Sequence, residues 1–256
     1  MKRLLIPTDF SPVAHKALHY AVDIALKNQA TVVMLHVQEG ESVPEESFRE
    51  FVGNEPGIHK LMYEMVIRTG DTVEAINRFA NENKVDLIVM GTKGANNQKV
   101  ADSITARVID TVDCPVLAIP HECAVPVKIQ KIAFATDYKQ VKNPLALGSL
   151  TTFARIFDAE VHVLNVKNEA QKWNATDREM AEGNLEYFLE SIDHFYNFAD
   201  NPDLEEGIYD FVKAHHIDLL AMMPRKHLKT EKDTKGRLTE NIALKTEIPL
   251  LTFHEV

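Results

Sequence analysis

The chain has 256 residues, a hydrophobic fraction of 45% and a formal net charge of −10. This length and composition suffice for two domains of ordinary size, each with a core of its own. Residues 1–127 hold 12 basic and 17 acidic side chains and the remainder holds 16 and 21, so each half carries −5. Because a nucleic-acid partner usually requires a concentrated basic face, the charge argues against one.

Targeting and redox signals are sparse. No apolar run reaches the length of about eighteen residues that a membrane span needs, so no membrane association is predicted. The apolar stretch near Met1 ends at Pro7, which is too early for a signal peptide. Cys114 and Cys123 lack the spacing of a disulfide framework and fit a reducing compartment. We therefore expect a cytoplasmic protein.

Short apolar runs alternate with helical patterns along the first half of the chain. The apolar runs predict strands over 3–6, 31–37, 62–67, 85–90 and 115–119. Helices are predicted after the Ser11-Pro12 cap, over 72–83 and over about 102–112, whereas the segment after the second strand resembles an acidic connector. This alternation predicts a parallel, doubly wound sheet with right-handed crossovers.

The same order of segments returns in the second half. The corresponding pairs are Thr8-Asp9 with Thr136-Asp137, 30–37 with 159–166, 85–90 with 217–222, and 105–115 with 239–249. A short linker near 121–129, in which Pro120, Pro126 and polar residues are found, separates the copies. The sequence therefore predicts an α/β protein of two tandem doubly wound domains, 1–124 and 129–256, each a five-stranded parallel sheet flanked by helices.

A ligand site is expected at the carboxyl ends of the strands, where the strand order of an open parallel sheet reverses. The fourth predicted strand ends at Met90 and is followed by Gly91-Thr-Lys-Gly94 and by a helix that starts near Ser103. Glycines let a backbone approach phosphates, and a helix N-terminus adds free N–H groups and about half a positive charge. Taken alone, this spacing also fits a plain strand-to-helix turn.

Three motifs together resemble the universal stress protein family. They are Pro7-Thr-Asp-Phe-Ser11, Asp86-Leu-Ile-Val-Met-Gly-Thr92 with Gly94, and Cys114-Pro-Val-Leu117. Both repeats fit the family, so the resemblance covers nearly the whole chain. It implies an ATP or AMP site in the first domain, in which Asp9 meets the ribose or adenine side while Val37 and Met90 flank the base. The residues expected to line the phosphates are Gly91, Lys93, Gly94, Ser103 and Thr105.

The first loop departs from the pattern of the ATP-binding members. Eight residues separate Gly94 from Ser103, where that pattern has ten, and Asp102 stands in the place of a glycine. A carboxylate there favours the helix dipole but repels a triphosphate. Lys93 and Lys99, or a bridging metal, can offset the repulsion, but the sequence does not assign a metal.

The second copy of the loop has changed in a different way. Met223-Pro-Arg-Lys226 replaces the glycine-containing stretch, and Arg237 replaces the hydroxyl of Ser103, although Asp137, Gly236 and Thr239 persist. Basic side chains gather over 225–237, which suits an anionic ligand or partner but is also typical of a solvated loop. The second domain is therefore expected to be a degenerate copy.

The resemblance implies a non-catalytic stress-response protein in which a nucleotide biases conformation or partner choice. A nucleotide-free interaction scaffold is the alternative. An ATP-hydrolysing enzyme is a third, although no nucleophile or base stands out beside the loop. Because family members commonly dimerise, the two domains are expected to pair within the chain along 115–119 and 249–253. A homodimer and an unknown protein partner also remain open.

Overall fold

The structure is a computed structural model that describes residues 1–38, 45–92, 103–125, 127–137, 144–167, 183, 185–224 and 238–254. The elements of the first half are β1 (Arg3–Pro7), α1 (Pro12–Asn28), β2 (Thr31–Gln38), α2 (Glu45–Gly53), β3 (Tyr63–Thr69), α3 (Thr72–Glu82), β4 (Leu87–Thr92), α4 (Ile104–Thr111) and β5 (Val116–Pro120). Those of the second half are β6 (Lys131–Ala135), α5 (Gly148–Phe157), β7 (Glu160–Lys167), β8 (His194–Asp200), α6 (Leu204–His215), β9 (Leu219–Met222), α7 (Leu238–Lys245) and β10 (Leu250–Thr252). Residues 185–189 are also helical.

The chain divides into two compact units. The first comprises residues 1–127 with 239–250, and the second comprises 128–238 with 251–256. The break at 127/128 lies within the stretch near 121–129 that separates the two sequence repeats. The segment 239–250, which the repeat assigns to the second copy, groups with the first unit.

Each half contains a parallel sheet with the same order of strands. The order is β3-β2-β1-β4-β5 in the first and, taken from the opposite end, β8-β7-β6-β9-β10 in the second. In the first sheet β1 pairs in parallel with both of its neighbours, since Leu5 is aligned with Val33 of β2 on one side and with Ile88 of β4 on the other. The predicted α/β class with tandem, doubly wound parallel sheets is confirmed.

The core of each sheet comes from its central strands. In β1 the side chains of Leu4, Leu5 and Ile6 are fully buried, which fits a strand that is covered by helices on both faces. Helix α1 starts after Ser11, whose hydroxyl accepts a hydrogen bond from the N–H of Ala14 at 3.3 Å. Pro12 occupies the first turn, where the missing N–H costs nothing, so the predicted cap is present.

An aspartate ties the amino end of the central strand in each unit. In the first, one carboxylate oxygen of Asp86 accepts from the N–H of Lys2 at 2.6 Å and of Arg3 at 2.9 Å. These bonds fix β1 to the segment that leads into β4. Asp218 does the same for the N–H groups of residues 130 and 131, at 2.8 and 3.0 Å.

The acidic connector after β2 contains a helix that the sequence analysis did not predict. Phe48, Phe51 and Val52 of α2 are buried, at helical spacings of three and four residues. Because α2 also contains exposed glutamates, the acidic composition of this segment did not indicate its short apolar stripe. In the part of the chain that the structure describes, no helix is both long and apolar enough to cross a membrane.

Candidate functional site

The strand order of the first unit reverses between β1 and β4, so their carboxyl ends form the expected ligand edge. The structure brings four elements together there: the turn after β1, the ends of β2 and β4, and the start of α4. Of the predicted site residues, six lie in the described part of the chain: Asp9, Val37, Met90, Gly91, Ser103 and Thr105. Lys93 and Gly94 lie outside the described residues, as does Asp102, which stands where the family pattern has a glycine.

The turn after β1 presents Asp9 at the surface. Asp9 is exposed, and its Oδ1 accepts a hydrogen bond from the N–H of Ser11 at 3.1 Å. Thr8 Oγ1 accepts from the N–H of Phe10 at 2.9 Å, and Phe10 adopts a left-handed φ of 60°. These local bonds hold the Asp9 carboxylate at the carboxyl end of β1, before the first turn of α1.

His36, in β2, stabilises the same turn through a hydrogen bond. Its Nδ1 lies 2.8 Å from the carbonyl oxygen of Thr8. Because a carbonyl only accepts, Nδ1 carries the proton and donates. The second unit repeats this bond with another side chain, since Asn165 Nδ2 donates to the carbonyl of Thr136 at 2.9 Å.

Gly91 has a packing role that the sequence did not reveal. A Cβ at this position would lie 2.7 Å from Val13 Cγ2 and 2.7 Å from the Val13 carbonyl oxygen, on the first turn of α1. Only a glycine therefore allows α1 to lie this close to β4. The predicted contact of Gly91 with a phosphate remains a prediction, but the close approach of α1 already accounts for the residue.

The N-terminus of α4 lies against the end of β4. Ser103 caps the helix, because its hydroxyl accepts from the N–H of Ala106 at 3.3 Å. Thr105 Oγ1 donates to the carbonyl of Gly91 at 3.1 Å, which fixes the helix to the strand. Thr92 is buried, and its hydroxyl has no hydrogen-bond partner in the described part of the chain. The Ser103 and Thr92 hydroxyls therefore each retain a proton that can be donated.

Beside this edge lies an aromatic cluster that sequence reasoning missed, formed by Phe10, His36, Phe48 and Phe51. Phe10 stacks on His36 with 4.7 Å between ring centroids, and its ring meets Phe48 and Phe51 edge-on at 4.9 and 5.6 Å. The cluster covers the turn after β1 and the end of β2, next to the half-buried Val37. The only sequence signal for it was the helical spacing of the α2 phenylalanines.

A buried acid fastens the α2 region to α1. The side chain of Glu55 is fully buried, and its two oxygens lie 3.1 and 3.3 Å from His19 Nδ1. Burial raises the pKa of Glu55, while the charge and hydrogen bond of His19 partly oppose that shift. Burial lowers the pKa of the neighbouring His15, and the charge of His19 lowers it further. Protonation in this region is thus coupled to the placement of α2.

The corresponding edge of the second unit has a different character. Met223 and Pro224 follow β9 where Gly91 and Thr92 end β4, and Thr239 is buried near the start of α7. Asp137 is half-buried, whereas Asp9 in the first unit is exposed. The basic stretch 225–237 that the sequence singled out lies outside the described residues.

Both cysteines are free thiols. Burial is the main reason that the pKa of Cys114 and the pKa of Cys123 are each raised to about 12. Such thiols stay protonated at neutral pH and are poor nucleophiles. Among the described residues, no three histidine, cysteine or acidic side chains are grouped closely enough to hold a metal ion.

Comparison with known proteins agrees with the motifs. A sequence profile of the Universal stress protein family matches residues 1–52 and 52–120. The chain is 30% identical over 138 residues to a universal stress protein of Methanocaldococcus jannaschii, covering 46% of this chain and 81% of that one. It is 29% identical over 134 residues to one from Synechocystis sp., covering 46% and 85%.

The solved structure of a universal stress protein from Archaeoglobus fulgidus supports the fold along the whole chain. The TM-score is 0.76 at 18% identity, with 99% of this chain and 96% of that chain covered. The sequence matches thus confirm the resemblance that the motifs indicated, and the solved structure shows the same fold. This chain belongs to the universal stress protein family.

Proposed function

We propose that the protein is a non-catalytic member of its family that binds an adenine nucleotide, ATP or AMP, at the β1/β4 edge of the first unit. The observation that carries the proposal is the meeting of three groups at the point where the strand order reverses. These are the exposed carboxylate of Asp9, the capped N-terminus of α4 at Ser103, and the buried hydroxyl of Thr92, which has no hydrogen-bond partner among the described residues.

Each of these groups suits one part of a nucleotide. The Asp9 carboxylate can accept hydrogen bonds from ribose hydroxyls or from the adenine amino group. The first N–H groups of α4 and the Ser103 hydroxyl can donate to phosphate oxygens, and the helix dipole favours a negative charge there. The hydroxyl of Thr92, which lacks a partner in the described part of the chain, is a further donor at the end of β4.

The non-catalytic part of the proposal follows from the chemistry at the edge. Among the described residues that line it, none is a nucleophile activated by a neighbouring base, and both thiols are protonated at neutral pH. Asp9 is occupied in the turn that precedes α1. A nucleotide held here acts through the conformation that it stabilises.

A nucleotide-free scaffold is the second candidate, and a specific observation favours it. Gly91 is already required by the packing of Val13, and the Thr105 hydroxyl is already bonded to the Gly91 carbonyl. The aromatic cluster also covers the β2 side of the edge. Several features that resemble a binding site thus also have a structural explanation.

Calorimetric titration of the full chain with ATP, ADP and AMP, with and without magnesium, separates the two candidates. We expect saturable binding with one site per chain. Asp9→Ala should weaken it at least tenfold, because a hydrogen bond to a charged group is lost. Asp137→Ala, the corresponding change in the second unit, should leave the affinity unchanged.

Three results would contradict the proposal. Flat titrations with all three nucleotides would favour the scaffold, provided that circular dichroism shows a folded chain. Equal losses from Asp9→Ala and Asp137→Ala would place the nucleotide elsewhere. Nucleotide turnover that is lost in Ser103→Ala would instead support the enzyme.

A further inference from the structure

The outer edge of β3 is an exposed strand edge. β3 is the last strand in the order of the first sheet, and in the part of the chain that the structure describes no strand pairs with its outer side. Five of its seven residues are exposed, among them Met65 at 41% and Ile67 at 39%. Exposed apolar strand edges are templates for pairing with another chain.

The hydrogen bonds of β2 show which backbone groups of β3 face outward. The N–H of Val32 donates to the carbonyl of Met62, and Val32 is aligned with Tyr63. Since successive residues of a strand point their backbone groups to opposite sides, the groups of residues 62, 64, 66 and 68 face β2. Those of residues 63, 65, 67 and 69 therefore face outward and are available to a new strand.

We infer that β3 pairs in an antiparallel ladder with β3 of a second copy of this chain, around a two-fold axis at Val66. This is the register in which all seven residues overlap. It sets Met65 opposite Ile67 and Tyr63 opposite Thr69, which are the residues whose backbone groups face outward. The strand therefore offers matching donors and acceptors to itself.

The same register also matches the charges. It sets Glu64 of each copy opposite Arg68 of the other, at positions of the ladder where side chains approach most closely. Arg3 contacts Glu64 at 2.7 Å, and the guanidinium of Arg68 lies 5.6 Å from the centre of the Phe79 ring. Both charged side chains are thus already held near the strand, so less freedom is lost when they pair.

The corresponding edge in the second unit lacks this self-complementarity. In β8, Phe195 and Ala199 stand at the positions of Glu64 and Arg68, so full overlap of two copies of β8 creates no ion pair. Five of the seven β8 residues are only half-exposed. Glu186 also bonds to His194 and Tyr196 of this strand. We therefore place the dimer contact on β3.

A pair of seven-residue strands is smaller than a standard interface, so the dimer is expected to be weak and concentration-dependent. Sedimentation velocity of the full chain over a wide concentration range, without nucleotide, should show a monomer–dimer equilibrium. High salt should weaken it, because the two Glu64–Arg68 pairs are exposed at the rim.

Proline substitutions test whether β3 forms the dimer contact. Met65→Pro removes an outward N–H and leaves the ladder with β2 intact, so it should abolish dimerisation. Tyr196→Pro, at the matching outward position of β8, is the control and should leave the dimer unchanged. Unfolding by urea shows whether each variant is folded.

Charge reversal tests the register and does not depend on proline being tolerated. Glu64→Arg and Arg68→Glu should each weaken the dimer by roughly tenfold, because like charges then face each other twice. The double variant with both changes should recover the wild-type dissociation constant. A monomer at every concentration, a dimer that survives Met65→Pro, or a double variant without recovery would overturn the inference.

Discussion

The two units share side-chain hydrogen bonds at both ends of their first strand and differ where the fourth strand ends. Asp86 and Asp218 make the same pair of backbone hydrogen bonds, and His36 and Asn165 donate to the same carbonyl of the turn that follows the first strand. At the carboxyl ends, Gly91 allows α1 to lie close, while Met223 stands at the corresponding position of the second unit.

The shared bonds show that a requirement of the backbone can persist while the residue that meets it changes. A carbonyl that must be bonded accepts either an imidazole or an amide donor, so the residue changes while the bond persists. After the fourth strand the sequences differ, with Gly91-Thr-Lys-Gly94 in the first copy and Met223-Pro-Arg-Lys226 in the second. The proposed nucleotide site lies beside the first of these segments.

Gly91→Ala is expected to give the largest loss of stability. The new methyl would meet the Val13 backbone, which cannot rotate away as a side chain can, so α1 must shift. We expect the free energy of unfolding to fall by about 2–3 kcal/mol, measured by urea denaturation.

Gly148→Ala in α5 is the matched control for that change. No atom lies within 4 Å of the Cβ that this substitution adds. Its effect should stay within about 0.5 kcal/mol. Equal losses at both glycines would show that the proximity of Val13 is not what requires Gly91.

Asp86→Ala and Asp218→Ala should have intermediate and similar effects. Each leaves two backbone N–H groups without their carboxylate acceptor. Since these sites are near water, we expect a loss of about 1–2 kcal/mol in each case, measured by urea denaturation. Glu82→Ala, an exposed acidic residue of α3, should be nearly neutral. A large loss in only one unit would contradict the equivalence of the two aspartates.

The smallest effect concerns the pH dependence of stability. Because burial lowers the pKa of His15, the folded state favours its neutral form. That contribution is present above the ordinary histidine value near 6.5 and is lost as the pH falls toward the lowered pKa. The stability difference between wild type and His15→Gln should therefore shrink as the pH falls from 8 to about 5.

His194 in the second unit provides a control of opposite sign. Burial alone would lower its pKa, but hydrogen bonds to the Ile192 carbonyl and to Glu186 outweigh burial, so the pKa is raised. Its contribution is present below about 6.5 and is lost as the pH rises through the raised pKa. The difference between wild type and His194→Gln should thus shrink as the pH rises. Parallel trends for the two variants would contradict both assignments.

The architecture was predictable because its signals are local. Apolar runs such as 85–90 end at turn residues, and Ser11-Pro12 marks the start of α1 in a way that depends on neighbours only. The repeat of these runs then indicated the second domain. Helix α2 escaped because its exposed glutamates dominate the composition and only a few apolar residues face inward.

The candidate site was predictable in position but not in detail. The turn residue Asp9 and the cap at Ser103 follow from sequence order. The requirement for a glycine at position 91 comes from its contact with Val13. The burial of Glu55 depends on its hydrogen bond with His19, which is 36 residues away. Contacts of that kind form only once the helices pack, and no local pattern in a single sequence predicts them.

The carboxylate of Asp86 has a consequence for the nascent chain. It secures an amide group 84 residues earlier, so a ribosome that adds roughly 5–20 residues per second completes β1 several seconds before its partner emerges. During that interval β1 can pair with β2, but the strand on its other side, β4, has not yet been made. The amino end of the first strand to be synthesised therefore receives its carboxylate only when the fourth strand follows, and the same delay recurs for β6 and Asp218.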